Sequence, residues 1–307
     1  MDYDVIIIGA GVAGMTAAIY ARRAGKTVLV LEGGIYGGQI VNTFNIQNWP
    51  GEPGVSGVDL SKKIYHQMHD LGVEIEMDEV LSVEKTSDGD EFTVKTEDEK
   101  YSAGAIILAV GTEDKKLGLK SEAKFIGRGV SYCATCDGAF YKSKNVAVIG
   151  GGNTAFYDAL YLADIVEKVY LVHRRDEFRA DASLVEKVRM KKNVEFALGY
   201  VPEEILGDKK VTGIDLTPSG KVKTVTKKME LEVDGVFVAV GKKPKTEKFK
   251  DLVELDSEGY IVADESCQTS CAGVFTAGDC RTKTIRQLVT AAGDGAVAAE
   301  AAVKYLS

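Results

Sequence analysis

Cys133 and Cys136, in the run Cys133-Ala134-Thr135-Cys136-Asp137-Gly138, are the residues of this chain best suited to chemistry. The spacing lets two thiols form a reversible disulfide, and a helix start or a positive neighbour there depresses a thiol pKa. The same thiolates could instead hold zinc, with Cys267 and Cys271 as two further ligands. A structural zinc site usually takes two tight knuckles from one compact module. Here the second pair stands far downstream, beside the segment Gly273–Asp279. A redox dithiol is therefore the leading reading, and Cys267, Cys271 and Cys280 are expected to be small buried residues.

Two glycine-rich turns form a second constellation. Gly9-Ala10-Gly11-Val12-Ala13-Gly14 follows the apolar run Val5–Ile8, and Gly150-Gly151-Gly152-Asn153-Thr154-Ala155 follows Val146–Ile149. Each predicts a strand, a tight turn and a helix, the helices reaching about Ala24 and Asp164. A second strand then follows, Val28–Leu31 ending at Glu32 and Lys168–Val172 ending at His173. The interval from Gly9 to Glu32 equals that from Gly150 to His173. One such motif is weak; two in register, each completing a βαβ unit, are the context in which glycines let a pyrophosphate approach a helix N-terminus.

The residues ending the second strands separate the two nucleotides. The carboxylate of Glu32 suits ribose hydroxyls and repels a 2′-phosphate, so the first site is expected to take FAD or NAD. The second unit has His173 there, followed by Arg174, Arg175 and Arg179. Guanidinium forks match a phosphate, so this site is expected to take NADPH. Gly278-Asp279, with Arg286 and Gln287 opening a last helix, would complete the flavin site through ribityl hydroxyls and the pyrimidine end of the ring. Gly293 and Gly295 inside that helix predict close approach of another backbone.

The elements that must position these groups read as α/β. Two Rossmann-like, three-layer domains are expected, the second inserted into the first: residues 1–112 with 245–307, and 113–244. The linkers, near 112–117 and 242–247, could act as a double hinge. The dithiol and the second glycine motif fall on the same inserted body. That placement predicts two orientations of the insert, one bringing the dithiol and one the nicotinamide to the flavin. The net charge of −8 argues against nucleic acid. The apolar runs are too short to span a bilayer, and the acidic start does not resemble a signal peptide, so a cytoplasmic protein is expected. His66 and His69, on a predicted helix over 60–71, read as a solvated face.

The whole chain resembles the bacterial-type, low-molecular-weight thioredoxin reductases, class II pyridine nucleotide-disulfide oxidoreductases. The resemblance is carried by Gly9–Gly14, Gly37-Gly38-Gln39, Asn48-Trp49-Pro50-Gly51, Cys133–Gly138, Gly150–Ala155, His173-Arg174-Arg175, Arg179-Ala180, Gly278-Asp279 and Arg286-Gln287. It implies a homodimer with one non-covalent FAD per subunit, NADPH as donor and thioredoxin as acceptor. FAD would be held by Gly9, Gly11, Gly14, Glu32, Gly33, Gly37, Gly38, Gln39, Asn48, Gly111, Gly278, Asp279, Arg286 and Gln287. NADPH would be held by Gly150, Gly152, Asn153, Thr154, His173, Arg174, Arg175 and Arg179. Cys133 and Cys136 would be the relay, and Asp137 the acid that protonates the leaving thiolate. The chain departs from the family at Val12, Phe156–Asp158, Cys271-Ala272 and Cys280, and none of these removes a group the chemistry needs. Ferredoxin-dependent relatives and flavin dithiol oxidases are alternatives, but neither would need the arginine cluster.

Overall fold

The structure is a computed structural model that describes residues 1–43, 46, 48–86 and 91–307. It divides into two compact units, Met1–Glu113 with Lys243–Ser307, and Asp114–Lys242.

In the first unit the parallel strands Glu74–Glu76, Val28–Leu31, Tyr3–Ile8, Lys100–Leu108 and Val274–Thr276 lie side by side in that order. Lys100–Leu108 has two partners on one edge. Its carboxyl-terminal half pairs Val274–Thr276, while its amino-terminal half closes an antiparallel meander with Phe92–Thr96 and Val80–Lys85. Because side chains alternate across a strand, continuous apolar runs are buried on both faces. Val5, Ile7, Val30 and Ile107 pack under the helices, and Ile6, Ile8, Leu29 and Leu108 face the meander residues Phe92 and Val94.

The second unit repeats this plan. The parallel order is Val194–Leu198, Lys168–His173, Asn145–Ile149, Gly235–Val238 and Val130–Ser131. Val148 and Leu171 pack against helices Asn153–Ala163 and Ala182–Arg189. Ile149 and Val238 face a separate antiparallel sheet of Tyr200–Gly207, Val211–Pro218 and Met229–Leu231. The two chain crossings, Thr112–Asp114 and Lys242–Pro244, pair with each other as a two-stranded sheet. Lys242 bonds Asp114 at 2.7 Å and Lys243 bonds Glu113 at 2.9 Å.

The last helix, Leu288–Tyr305, lies against the first, Val12–Arg23. A Cβ on Gly295 would stand 2.2 Å from the carbonyl oxygen of Ala13, so the absence of a side chain permits the contact. Gly293 differs from the sequence expectation: a Cβ there would meet nothing within 4 Å. The helix faces open space at that turn.

Candidate functional site: two nucleotide cradles and a dithiol

Both glycine turns have the same local construction. Gly9 and Gly150 have φ of +107° and +157°, and a Cβ on either would strike a neighbouring-strand carbonyl, Ala109 at 2.4 Å or Ala239 at 2.3 Å. Only glycine lets the turn pass so close to the adjacent strand. Each following helix starts from a glycine, Gly11 or Gly152, without a side-chain cap or an acid in its first turn. By contrast, helix Gly57–Asp70 has its Asp59 N–H satisfied by Ser56 Oγ at 3.0 Å. The fingerprint helices thus keep N–H groups available for an anion. Gly11 and Gly152 also have open space where a Cβ would be, which fits a ligand lying on the turn.

Several of the residues expected at the first cradle are in contact with one another. Glu32 accepts the N–H of Ala10 at 2.7 Å and of Gly34 at 2.9 Å, which ties the strand end to the fingerprint. A second glycine loop leans on that turn: Gly11 bridges Gly37, and a Cβ on Gly38 would lie 3.3 Å from the Gly11 Cα. Gly33 packs against Glu79, and Gly111 closes the strand Lys100–Leu108 with φ +61°. Gln39 Nε2 donates to Thr112 O at 2.6 Å and Asn48 Nδ2 to Gln287 Oε1 at 2.9 Å. Asp279 leaves the strand Val274–Thr276 in a single 3₁₀ turn, Gly278–Cys280, and its backbone oxygen accepts from Arg286 Nε at 3.3 Å. The Arg286 guanidinium stacks on Tyr260 at 4.0 Å. Arg286 and Gln287 precede the last helix rather than opening its first turn, and Gln287 is its N-cap.

The second cradle opens into a cleft of about 600 Å³ lined by Gly150–Gly152, Thr154, His173 and the arginines 174, 175 and 179. The His173 ring packs over Gly151, where a Cβ would stand 2.2 Å from it. Its Nε2 is buried without a hydrogen-bond partner among the described residues, an orphan that suits a ligand in the cleft. Burial, and then the positive charge of Arg174, Arg175 and Arg179, hold His173 below its ordinary pKa, so the ring is neutral near pH 7. Asn153 does not line the cleft. Its side chain accepts the Asp181 N–H at 2.8 Å and donates to the Asp181 carboxylate at 3.0 Å, anchoring the loop that carries the arginines. The Arg179 N–H is held by Gly151 O at 2.9 Å. Farther along the same helix, burial pushes Asp158 up to about 7, opposed by Lys242 and reinforced by Asp114.

Cys133 and Cys136 are joined as a disulfide, with Cα atoms 5.3 Å apart. Cys133 caps the short helix Ala134–Asp137: its Sγ accepts the Cys136 N–H at 3.3 Å and lies 3.4 Å from Thr135 Oγ1. Asp137 closes this turn and lines a cleft of about 270 Å³ with Arg128, Phe140, Tyr141 and Lys144. The carboxylate of Glu122, 2% exposed, accepts N–H bonds from Leu117 at 2.8 Å and Gly118 at 2.9 Å and the Tyr132 hydroxyl at 2.6 Å. It ties the crossing segment to the residue preceding Cys133. Sequence reasoning had not singled out Glu122, nor Lys115 and Lys116, which also line the second cleft. Cys267 and Cys280 are buried and Cys271 only half so. His66 and His69 are exposed on their helix.

Two nucleotide cradles and a redox disulfide in two Rossmann-type units define a flavin- and nicotinamide-dependent disulfide oxidoreductase. The chain belongs to the pyridine nucleotide-disulphide oxidoreductase family, whose model matches residues 3–295. It is 46% identical to a thioredoxin reductase of Listeria monocytogenes over 307 residues, covering 99% of this chain and 94% of that protein. It is 42% identical to the thioredoxin reductase of Bacillus subtilis, covering 99% and 95%. The crystal structure of Lactococcus lactis thioredoxin reductase superposes with a TM-score of 0.87 at 40% identity, covering 99% of each chain. No helix among the described residues is long and apolar enough to cross a membrane.

Proposed function

We propose that the protein catalyses NADPH-dependent reduction of thioredoxin: NADPH, H⁺ and oxidised thioredoxin give NADP⁺ and the thioredoxin dithiol. The observation that carries this is the Cys133–Cys136 disulfide, which lies in one compact unit with an arginine-lined nucleotide cleft. Bound FAD would supply two-electron transfer between NADPH and the disulfide.

The first unit is the FAD-binding domain and the inserted unit the NADPH-binding domain. Glu32 and Asp279 hold hydroxyls of FAD, the turn Gly9–Gly14 receives its pyrophosphate, and Asn48, Arg286 and Gln287 close the ring end. In the inserted unit Thr154 and the glycine turn receive the NADPH pyrophosphate, while Arg174, Arg175 and Arg179 bind its 2′-phosphate.

Once reduced, the thiols are nucleophiles only as thiolates. The Cys136 N–H and the Thr135 hydroxyl stand ready to donate to a Cys133 thiolate. One thiolate attacks a thioredoxin sulfur, breaking that disulfide and forming a mixed one. The second thiolate then breaks the mixed disulfide, which re-forms Cys133–Cys136 and releases thioredoxin as a dithiol. Asp137, adjacent to Cys136, gives its proton to a leaving thiolate. The working protein is a cytoplasmic homodimer.

The test is steady-state turnover of the holoenzyme with NADPH, NADH or reduced ferredoxin as donor and oxidised thioredoxin as acceptor. Turnover with NADPH far exceeding the other donors is expected. Thioredoxin reduction driven best by ferredoxin, or none with any donor, would overturn the proposal.

A further inference from the structure

We propose that Lys115 and Lys116 form a second phosphate-binding arm of the nucleotide cleft, contributed by the crossing strand and directed at the nicotinamide half of the dinucleotide. This rests on the assignment of that cleft to NADPH.

Five cations line the cleft, and no carboxylate joins them among the described residues, although the chain carries a net charge of −8. The cations come from two elements. Arg174, Arg175 and Arg179 follow the strand Lys168–His173, whereas Lys115 and Lys116 follow the crossing strand Thr112–Asp114. The Lys115 N–H donates to Gly241 O at 2.9 Å, just beyond the strand Gly235–Val238. In the sheet, Asn145–Ile149, which leads into the glycine turn, lies between Lys168–His173 and Gly235–Val238. The turn is therefore flanked by the arginines on one side and by the lysines on the other.

A dinucleotide crosses the carboxyl ends of such strands with its pyrophosphate on the glycine turn. With the 2′-phosphate at the arginines, its other half extends toward Gly241 and the two lysines. Competition for the lysines has been removed. The neighbouring acids Glu113 and Asp114 are already paired with Lys243 and Lys242. Neither Lys115 nor Lys116 has an ion-pair partner among the described residues. The backbone beneath them is also fixed, by Gly241 O on one side and by the buried Glu122 carboxylate on Leu117 and Gly118 on the other. The arm is thus a pair of flexible point charges on a preorganised loop, which suits attraction to a phosphate without forked recognition.

The arm and the arginines are separable because their phosphates are. NADP⁺ carries the 2′-phosphate and the whole pyrophosphate; 2′,5′-ADP carries the 2′-phosphate but ends at the adenosine-side phosphate. The experiment is calorimetric titration of oxidised holoenzyme with each ligand, for the wild type, Lys115→Gln/Lys116→Gln and Arg174→Ala. The flavin spectrum serves as a check that each variant is folded. The lysine variant should lose about tenfold in NADP⁺ affinity, the order expected of two exposed charge contacts. Its affinity for 2′,5′-ADP should change by less than about twofold, and Lys115→Arg/Lys116→Arg should restore NADP⁺ binding, since a charge and not a fork is required. Arg174→Ala should weaken both ligands together. Wild-type NADP⁺ affinity in the lysine variant, or equal loss for both ligands, would overturn the arm. Wild-type protein binding neither ligand would instead overturn the NADPH assignment on which it rests.

Discussion

The two units share a frame and differ in what they place on it. Both order five parallel strands identically around a glycine turn, and both cover one face with helices and the other with antiparallel strands. At the end of the second strand one has Glu32, bonded to its own fingerprint, and the other His173 with three arginines in its cleft. The fifth strands differ more. Val274–Thr276 leads to Gly278-Asp279, whereas Val130–Ser131 leads through Tyr132 to Cys133. The same topological position holds a carboxylate in one unit and the disulfide in the other. A repeated frame can therefore bind two related nucleotides and carry out two chemistries, because function resides in the residues at the strand ends and not in the strands.

The comparison breaks most completely at the fifth strand. Cys133→Ser or Cys136→Ser should reduce thioredoxin turnover to background while NADPH still bleaches the flavin absorbance in a stopped-flow trace. Near-normal turnover in both variants would remove the disulfide from the mechanism.

A smaller but still large effect is expected at the second strand end. Arg174→Ala/Arg175→Ala should raise the KM for NADPH by ten- to hundredfold per arginine, from about 1.5–3 kcal/mol per charge-assisted contact. NADH turnover should hardly move, and an equal loss for both donors would remove the 2′-phosphate from the arginines. In the first unit, Glu32→Ala would remove the proposed FAD acceptor and leave the N–H groups of Ala10 and Gly34 without their carboxylate partner. Weaker FAD retention on dialysis and a stability loss of about 1–3 kcal/mol in denaturant titration are expected.

Packing sharpens the comparison further. Gly295→Ala drives a methyl into the Ala13 carbonyl and should cost about 1–3 kcal/mol. Gly293→Ala, in open space two residues away, should instead stabilise by about 0.8–1 kcal/mol. The two thermal midpoints should move in opposite directions.

A separate effect concerns pH. Asp158 is raised to about 7 by burial, so the folded protein holds this proton after the unfolded chain, near 4, has released it. Stability from this group is lost as the pH climbs from about 4 to about 7. Asp158→Asn should flatten that decline, with a gain over wild type that grows from about pH 4 and is complete above about pH 7. A wild-type-like pH profile in the variant would mean that the carboxyl titrates normally.

Much of this was legible in the chain. The apolar runs at Val5–Ile8 and Val146–Ile149 read as doubly buried strands, and the matched intervals to Glu32 and His173 announced a duplicated βαβ unit. The cysteine spacing allowed a disulfide. Local signals sufficed because a parallel strand, a glycine turn and a helix start are each specified by contiguous residues. Gly293 misled the sequence reading because a glycine inside a helix looks the same whether it meets a backbone or solvent. The contact of Asn153 with Asp181 was not legible either, because it joins a helix start to a loop far along the chain.

Contiguous residues were enough to specify the duplication, the two glycine-turn signatures and the dithiol spacing. The sequence alone could not determine that Cys133 and Asp279 leave equivalent strands, because those strands take opposite places in chain order: Val130–Ser131 precedes its fingerprint, whereas Val274–Thr276 follows nearly the whole chain. Nor could it show that Lys115 and Lys116 reach the cleft or that Glu122 binds the crossing segment to Tyr132. These are pairings between segments distant along the chain. They are set by which strand edge remains open and which buried donors need an acceptor, and both become defined only when the sheets assemble.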